Sequence, residues 1–240
     1  KEMSKDYTIL IPEMSPIHFQ FIETAMACEG YKVKLLPTVD KNAVDEGLRY
    51  INNDACYPTI VTLGQIISYL KSGEVDLNKV GIFMSQTGGG CRASNYVALL
   101  RKALKDMGME QIPVISVNMA GLEKNPGFKI SKGIIKRGMM AVMYGDLLMR
   151  VLYATRPYEK VPGSANALYE ECCDMIRDNI VSGDMKEYKR LMKVIVEKFD
   201  QLPLLDIKKP RVGVVGEILV KYHPNANNDI VNIIESEGGE

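Results

Sequence analysis

Residues 79–96 read Lys79-Val80-Gly81-Ile82-Phe83-Met84-Ser85-Gln86-Thr87-Gly88-Gly89-Gly90-Cys91-Arg92-Ala93-Ser94-Asn95-Tyr96. The apolar run from Val80 to Met84 does not alternate with polar residues, which predicts a short strand buried on both faces. From Tyr96 the apolar residues recur at helical spacing, and Ser94 or Asn95 can cap that helix. A strand that leads through a loop into a helix is typical of an open parallel sheet, in which ligands bind at the carboxyl ends of the strands.

The predicted loop contains three consecutive glycines, Gly88, Gly89 and Gly90, followed by Cys91. Glycine loses much backbone entropy on folding, so three in a row predict a sharp turn or a close approach to a ligand. A thiol beside free N–H groups and the positive end of a helix is favoured as thiolate, the form that binds metals. A tight turn with an incidental cysteine is the alternative interpretation.

A phosphate-binding loop is a further alternative, because backbone N–H groups at the start of a helix hold anions. The stretch from Thr87 to Arg92 lacks the lysine and Ser/Thr of a P-loop, however, and it does not match G-x-G-x-x-G. The sequence therefore gives little support for an ATP or dinucleotide site here.

Around this stretch the chain shows a β-α-β pattern, with a strand predicted over 7–12, a helix over 17–28 and a strand over 31–37. Further helices are predicted over 40–50 and 59–70, and a fourth strand over 112–117. We therefore expect an α/β fold with a Rossmann-like parallel sheet and flanking helices over residues 1–130.

The pattern becomes helical from residue 131, and apolar spacing predicts helices over 134–152, 165–181 and 184–199. These helices make up a helical segment over 131–202. Residues 211–217 then have the composition of a strand and 228–236 that of a helix. We expect 203–240 to be the start of a second α/β domain that is truncated at residue 240, since one strand and one helix cannot form a sheet alone.

Composition excludes several functional classes. Thirty basic residues balance 30 acidic ones, so no net field favours nucleic acid or an anionic membrane surface. The sequence shows neither a run of about 18 apolar residues, which a transmembrane helix needs, nor the charged-then-apolar pattern of a signal peptide. Five cysteines in a chain of 240 residues predict a reducing compartment, hence a cytoplasmic protein, with any special cysteine acting as a metal ligand or reactive thiol.

Cys56 directly precedes a predicted helix, as Cys91 does, so the two could meet at one edge of the sheet. They are too far apart for the C-x-x-C spacing of a local zinc site, and separate loops are typical of iron–sulfur ligands. Cys28 is expected in the core. Cys172 and Cys173 are adjacent on a helix, so we expect one in the core and the other at the surface.

Several stretches resemble one family closely, namely the large activase-related proteins of the 2-hydroxyacyl-CoA dehydratase system, also described as CoA-substrate-specific enzyme activases. The stretches are residues 52–58 (NNDACYP), 84–96 (MSQTGGGCRASNY), 121–128 (GLEKNPGF), 144–148 (YGDLL) and 209–217 (KPRVGVVGE). The resemblance implies that this chain belongs to the dehydratase-like portion of a multidomain protein. ATP would be used only in a fused ATPase portion.

The resemblance also implies an iron–sulfur cluster, either 4Fe–4S or double-cubane, with Cys56 and Cys91 among its ligands and a third cysteine in a following domain. Gly88, Gly89 and Gly90 would donate N–H···S bonds. Arg92 would neutralise cluster charge, or would simply be a solvated residue of the first helical turn. The implied chemistry is low-potential electron transfer in ATP-driven acyl-CoA dehydration or reduction.

The implied partners are the ATPase activase domain and a 2-hydroxyacyl-CoA dehydratase-type protein, and a homodimer remains open. The segment alone is not expected to be catalytic. Two other functions stay open: a metal-free CoA or phosphate binding module that uses the glycine loop, and a scaffold that docks the dehydratase or the ATPase portion.

Overall fold

A computed structural model of the chain describes residues 6–36, 40–52, 54–86, 95–118, 121–122, 128, 130–216 and 218–240. The chain divides into two compact units, and neither is continuous in sequence. The first unit consists of Lys1–Met14 and Gly30–Ile130, and the second of Ser15–Glu29 and Ser131–Glu240. The first unit is α/β, and the second is built of helices.

The first unit is organised on one sheet with the strand order β2-β1-β3-β4-β5. The strands are β1 (Thr8–Ile11), β2 (Lys32–Leu35), β3 (Val80–Gln86), β4 (Val114–Asn118) and β5 (Gly121–Leu122). The first four pair in parallel, and the two-residue β5 is antiparallel to β4. The Rossmann-like parallel sheet with flanking helices that the sequence predicts is therefore present.

The helices carry the hydrophobic faces that cover this sheet and fill the second unit. They are α1 (Pro16–Ala27), α2 (Lys41–Tyr50), α3 (Tyr57–Lys71), α4 (Tyr96–Asp106), α5 (Lys132–Thr155), α6 (Ser164–Ser182), α7 (Met185–Asp200), α8 (Ile218–Tyr222) and α9 (Ile230–Ser236). The helices predicted from apolar spacing are confirmed to within a few residues. None of the helices in the described part of the chain is long and apolar enough to cross a membrane.

Helices α2 and α3 pack against each other at two glycines. A Cβ on Gly64 would overlap the carbonyl oxygen of Ala43, and a Cβ on Gly47 would overlap that of Ile60. The two backbones can approach this closely only because neither glycine has a side chain. The close approach leaves α3 buried along nearly its whole length, which fixes the position of the helix that begins after Cys56.

The second unit packs α1, α5, α6 and α7 around one apolar core. Tyr144 lies in this core, where its hydroxyl donates to Oδ1 of Asn179 over 2.8 Å and its ring meets that of Tyr188 edge-on at 5.0 Å. Nδ2 of Asn179 donates to the carbonyl oxygen of Asp184 over 3.0 Å. This buried chain of hydrogen bonds links α5, α6 and the start of α7.

The strand predicted over residues 211–217 is wrong for the part that the structure describes, residues 211–216, which form no strand. Val212 N–H donates to the Glu240 carbonyl over 2.8 Å, and Glu240 N–H donates to the Pro210 carbonyl over 3.0 Å. These two bonds do not make a ladder, and Val215 is 85% exposed. The composition of a strand was present, but no neighbouring strand pairs with these residues.

The prediction that one residue of the pair Cys172 and Cys173 lies at the surface is also wrong, because both are fully buried. The two side chains point about 100° apart, but α6 packs against α1, α5 and α7 and is covered over a wider angle. Burial raises the pKa of Cys172 to about 12 and that of Cys173 to about 11. Cys28 ends α1 and is half-buried rather than in the core.

We expect Gly64→Ala to lower the free energy of unfolding by about 1–3 kcal/mol, because the added methyl group overlaps the Ala43 carbonyl. Gly138→Ala is the matched control, since a Cβ at this position of α5 meets nothing within 4 Å. The control should be neutral or stabilising by up to about 1 kcal/mol. Denaturant titration of the wild type and the two variants measures these changes in the free energy of unfolding. Equal changes in Gly64→Ala and Gly138→Ala would contradict a close contact at Gly64.

Acid should destabilise the second unit through His223, whose fully buried ring accepts the Ala226 N–H over 3.3 Å. Burial lowers the pKa of His223 below its usual value near 6.5. Because the unfolded chain therefore takes up the proton at higher pH than the folded one, the free energy of unfolding should fall as the pH drops below about 6.5.

His223→Asn keeps an oxygen that can accept the Ala226 N–H but removes the titrating group. Thermal unfolding midpoints measured between about pH 7.5 and pH 5 should therefore depend less on pH in this variant than in the wild type. Since His18 is present in both proteins, the difference isolates His223. Identical pH profiles of the two proteins would show that His223 does not cause the loss of stability in acid.

Candidate functional site

Cys56 is the residue that caps the amino end of α3. Its backbone is extended, with φ −61° and ψ 146°, and its carbonyl accepts the Thr59 N–H over 2.9 Å. The preceding turn is held by Asn52, whose Oδ1 accepts the Asp54 N–H over 3.0 Å and whose carbonyl accepts the Ala55 N–H over 2.9 Å. The sequence thus places a thiol at the positive end of a 15-residue helix.

The direction of α3 places Cys56 beyond the carboxyl edge of the sheet. Helix α3 leads into the amino end of β3, so its own amino end faces the opposite edge. Gln65, in the middle of α3, already reaches that edge, because its Oε1 accepts the backbone N–H of Glu13, two residues after β1 ends. Cys56 lies about 13 Å farther along the helix axis, at 1.5 Å per residue.

The Cys56 thiol is half-buried and is not in a disulfide. Its Sγ lies 3.0 Å from Oγ1 of Thr59, which is fully buried. A thiolate at Cys56 accepts this bond from the Thr59 hydroxyl, and such a bond to sulfur is the kind that orients and tunes a metal-bound thiolate. The local geometry therefore fits a sulfur ligand.

Polar side chains continue along α3 from Thr59 into an otherwise apolar environment. Thr59, Thr62 and Gln65 are each at most 3% exposed, and Glu13 is 7% exposed. Oγ1 of Thr62 makes no hydrogen bond to the described residues. A buried hydroxyl without a partner costs about 1–3 kcal/mol, so a polar stripe here has a cost that packing alone does not explain.

A second buried hydroxyl lies on the sheet. Ser116 of β4 is paired with Met84 of β3, and its side chain is on the face that carries Leu10, Ile82 and Val114. That face belongs to the core formed with α3 and α4. Ser116 is fully buried, and its Oγ also makes no hydrogen bond within the described part of the chain. Buried polar groups therefore lie on both the helix and the strand near this edge.

The sequence predicts a site at this edge, and only part of it falls on described residues. Cys56 is described, whereas Gly88, Gly89, Gly90, Cys91 and Arg92 lie outside the described residues. The strand before them ends at Gln86, in register with Asn118, and the helix after them starts at Tyr96. A meeting of Cys56 with Cys91 thus stays a prediction.

Sequence reasoning did not identify Glu13, Thr59, Thr62, Gln65 or Ser116. A signal was present, because the polar residues recur every third position after Cys56 within an apolar helix. Glu13, two residues after a buried strand, was a second signal. Within the described ranges, no group of three or more His, Cys, Asp and Glu side chains is placed to hold a metal ion.

Comparison of the chain with protein-family models, with curated proteins and with solved structures finds no match.

The half-buried Cys56 and the fully buried Cys172 and Cys173 should react with alkylating reagents at different rates. In the folded protein at about pH 8, Cys56 should react with iodoacetamide, because its sulfur is only half-buried. Cys172 and Cys173 should stay unmodified until the protein is unfolded, because burial raises the pKa of each thiol. Peptide mass mapping after timed labelling measures this. Modification of Cys172 as fast as of Cys56 would contradict the burial.

Proposed function

We propose that this chain is an iron–sulfur electron-transfer portion of a multidomain protein similar to the 2-hydroxyacyl-CoA dehydratase activases, with Cys56 and Cys91 as cluster ligands. The observation that supports it best is the position of Cys56. A free, half-buried thiol caps a long helix beyond the carboxyl edge of a parallel sheet, where open α/β folds bind their ligands.

Among the described residues, Cys56 is the one proposed ligand, and the chemistry around it fits an iron–sulfur cluster. Cys56 offers sulfur, Thr59 offers a hydroxyl at 3.0 Å from that sulfur, and the first turn of α3 offers its positive dipole. A hydrogen-bond donor and a helix amino end are both suited to lie beside a metal-bound thiolate. Cys91, Gly88, Gly89, Gly90 and Arg92 are proposed to complete the site on the strength of the sequence resemblance.

A bound cluster, 4Fe–4S or double-cubane, supplies low-potential one-electron chemistry. The protein would bind the cluster and tune its reduction potential. Cys56 would bind the cluster, and the Thr59 hydroxyl, 3.0 Å from its sulfur, would donate a hydrogen bond to the bound thiolate. We further propose a cytoplasmic location, an ATPase activase portion as electron donor and a dehydratase-type protein as partner.

Iron and acid-labile sulfide, measured after anaerobic purification and reconstitution, test this proposal. The wild type should bind both, and Cys56→Ala and Cys91→Ala should each lose most of the iron. Cys28→Ala is the matched control, because Cys28 is also a free, half-buried thiol but belongs to the second unit. This control should keep wild-type iron content.

The measurement should also be made on a longer chain that includes the following domain implied by the resemblance, since a third ligand is expected there. If Cys56→Ala keeps the iron that the wild type binds, Cys56 is not a ligand. If neither wild-type chain binds iron, the cluster proposal fails. CoA binding that inorganic phosphate competes away, and that survives Cys91→Ser, would then favour the metal-free binding module.

A further inference from the structure

Three side chains of the second unit form a hydrogen-bonded chain that the proposed function does not use. Oγ of Ser15 lies 2.8 Å from Nδ1 of His18, and Nε2 of His18 lies 3.0 Å from Oδ1 of Asp146. With the proton of the neutral ring on Nε2, Nδ1 accepts from the Ser15 hydroxyl and Nε2–H donates to the carboxylate. A hydroxyl, an imidazole and a carboxylate in this order are the parts of a serine nucleophile with its base.

The imidazole is held in place by more than these two bonds. A Cβ on Gly145 would overlap the His18 ring, so the ring lies directly on the backbone of α5 at the glycine beside Asp146. The Tyr222 ring lies on another side, with 6.2 Å between the ring centroids. His18 itself is only 12% exposed. Such fixing of a base by its surroundings is what catalysis by proton transfer requires.

A helix cap is the alternative role for Ser15, and the structure argues against it. Ser15 stands at the cap position of α1, but its side chain makes no hydrogen bond to an N–H of the first turn. Its hydroxyl bonds the imidazole instead. The cap residues of α2 and α5 do make this bond: Oδ1 of Asp40 accepts the Ala43 N–H over 2.8 Å, and Oγ of Ser131 accepts the Ile134 N–H over 2.9 Å.

Ser15 also lines a cavity of about 260 Å³ within the second unit. Ile17, Met149 and Leu152 give this cavity apolar walls. An adjoining cavity of about 340 Å³ shares Met149 and continues along apolar side chains, among them Val212, Val214 and Ile234. A small acyl group therefore has apolar surface in a cavity that Ser15, itself 8% exposed, helps to line.

The charges around the cavity favour an uncharged substrate. Arg156 lines it, but its guanidinium is held by both oxygens of Glu235 at 2.7 and 2.9 Å. The other charged side chains on the walls are Lys221, Glu170 and Asp229, which include both signs. Neither an anion nor a cation is selected by such a mixture, whereas a neutral ester with an apolar acyl group fits it.

We propose that Ser15, His18 and Asp146 form a serine esterase site that hydrolyses short acyl esters. Ser15 Oγ bonds to the carbonyl carbon while its proton passes to Nδ1 of His18. The bond from that carbon to the alkoxy oxygen then breaks, and His18 returns the proton to the leaving alcohol. Water next attacks the acyl group on Ser15, gives a proton through His18 back to Oγ, and releases the carboxylic acid.

Asp146 orients the ring and stabilises its positive charge during transfer. Its side chain is 61% exposed, so solvent weakens this contribution relative to a buried carboxylate. The backbone N–H of Ile17 lies in the first turn of α1, where N–H groups have no partner within the helix, and we assign it to the oxyanion. The site is in the second unit and does not depend on Cys56 or on a cluster.

A fluorophosphonate probe tests the proposal, because it forms a covalent adduct with an activated serine. Intact-mass and peptide analysis of the wild-type protein should place the adduct on Ser15, and Ser15→Ala should lose it. His18→Gln should react at least about tenfold more slowly, and Asp146→Asn should show a smaller loss. Hydrolysis of p-nitrophenyl butyrate should follow the same order, with the rate of Ser15→Ala giving the background from the free thiols Cys28 and Cys56.

Ser164 provides the matched control, because it also lies at the start of a helix but bonds a carboxylate, Glu159, over 3.2 Å. The probe should leave it unmodified. An adduct on Ser164 equal to that on Ser15, no adduct on Ser15, or full labelling of His18→Gln would each overturn the proposal. If Ser15→Ala does not fold, as judged by circular dichroism, the site of the adduct and the His18→Gln rate decide it.

Discussion

The close approach of α2 and α3 is the constraint on which the candidate site in the first unit depends. Gly47 and Gly64 let the two backbones meet, and the contact holds α3 so deep that most of its side chains are buried. A helix held in this way has a fixed amino end. The position of Cys56 is therefore set by packing about two turns away from it, together with the two hydrogen bonds that Asn52 accepts in the preceding turn.

Because α3 is buried, polar residues on it are unexpected and need an explanation. A helix surrounded by apolar side chains usually carries apolar residues throughout, because each buried hydroxyl or amide has to be hydrogen-bonded. Gln65 is bonded, through the N–H of Glu13, whereas Thr62 and Ser116 make no such bond to the described residues. Stability alone would favour valine or alanine at these two positions, so the two hydroxyls are not explained by packing.

Local sequence patterns predicted the strands and helices well because they depend on residues close in sequence. The apolar run Val80 to Met84 required a buried strand, and Ser15-Pro16 marked a helix start. The patterns failed where strand pairing or burial depends on residues that are distant in sequence. Residues 211–216 form no strand because none pairs with them, and Cys172 and Cys173 are both buried because three helices cover α6. The contact of His18 with Asp146 joins residues 128 positions apart and left no local pattern.

The proposed esterase site of the second unit depends on where α1 packs. In sequence α1 is the crossover between β1 and β2, yet its buried residues Phe21 and Ala25 belong to the core with α5 and α6. Because α1 packs there, Ser15 and His18 at its start meet Gly145 and Asp146 of α5. Ser15, His18 and Asp146 all belong to the second unit, so their arrangement follows from the packing of α1 against α5 within it. It is therefore independent of the cysteine chemistry of the first unit.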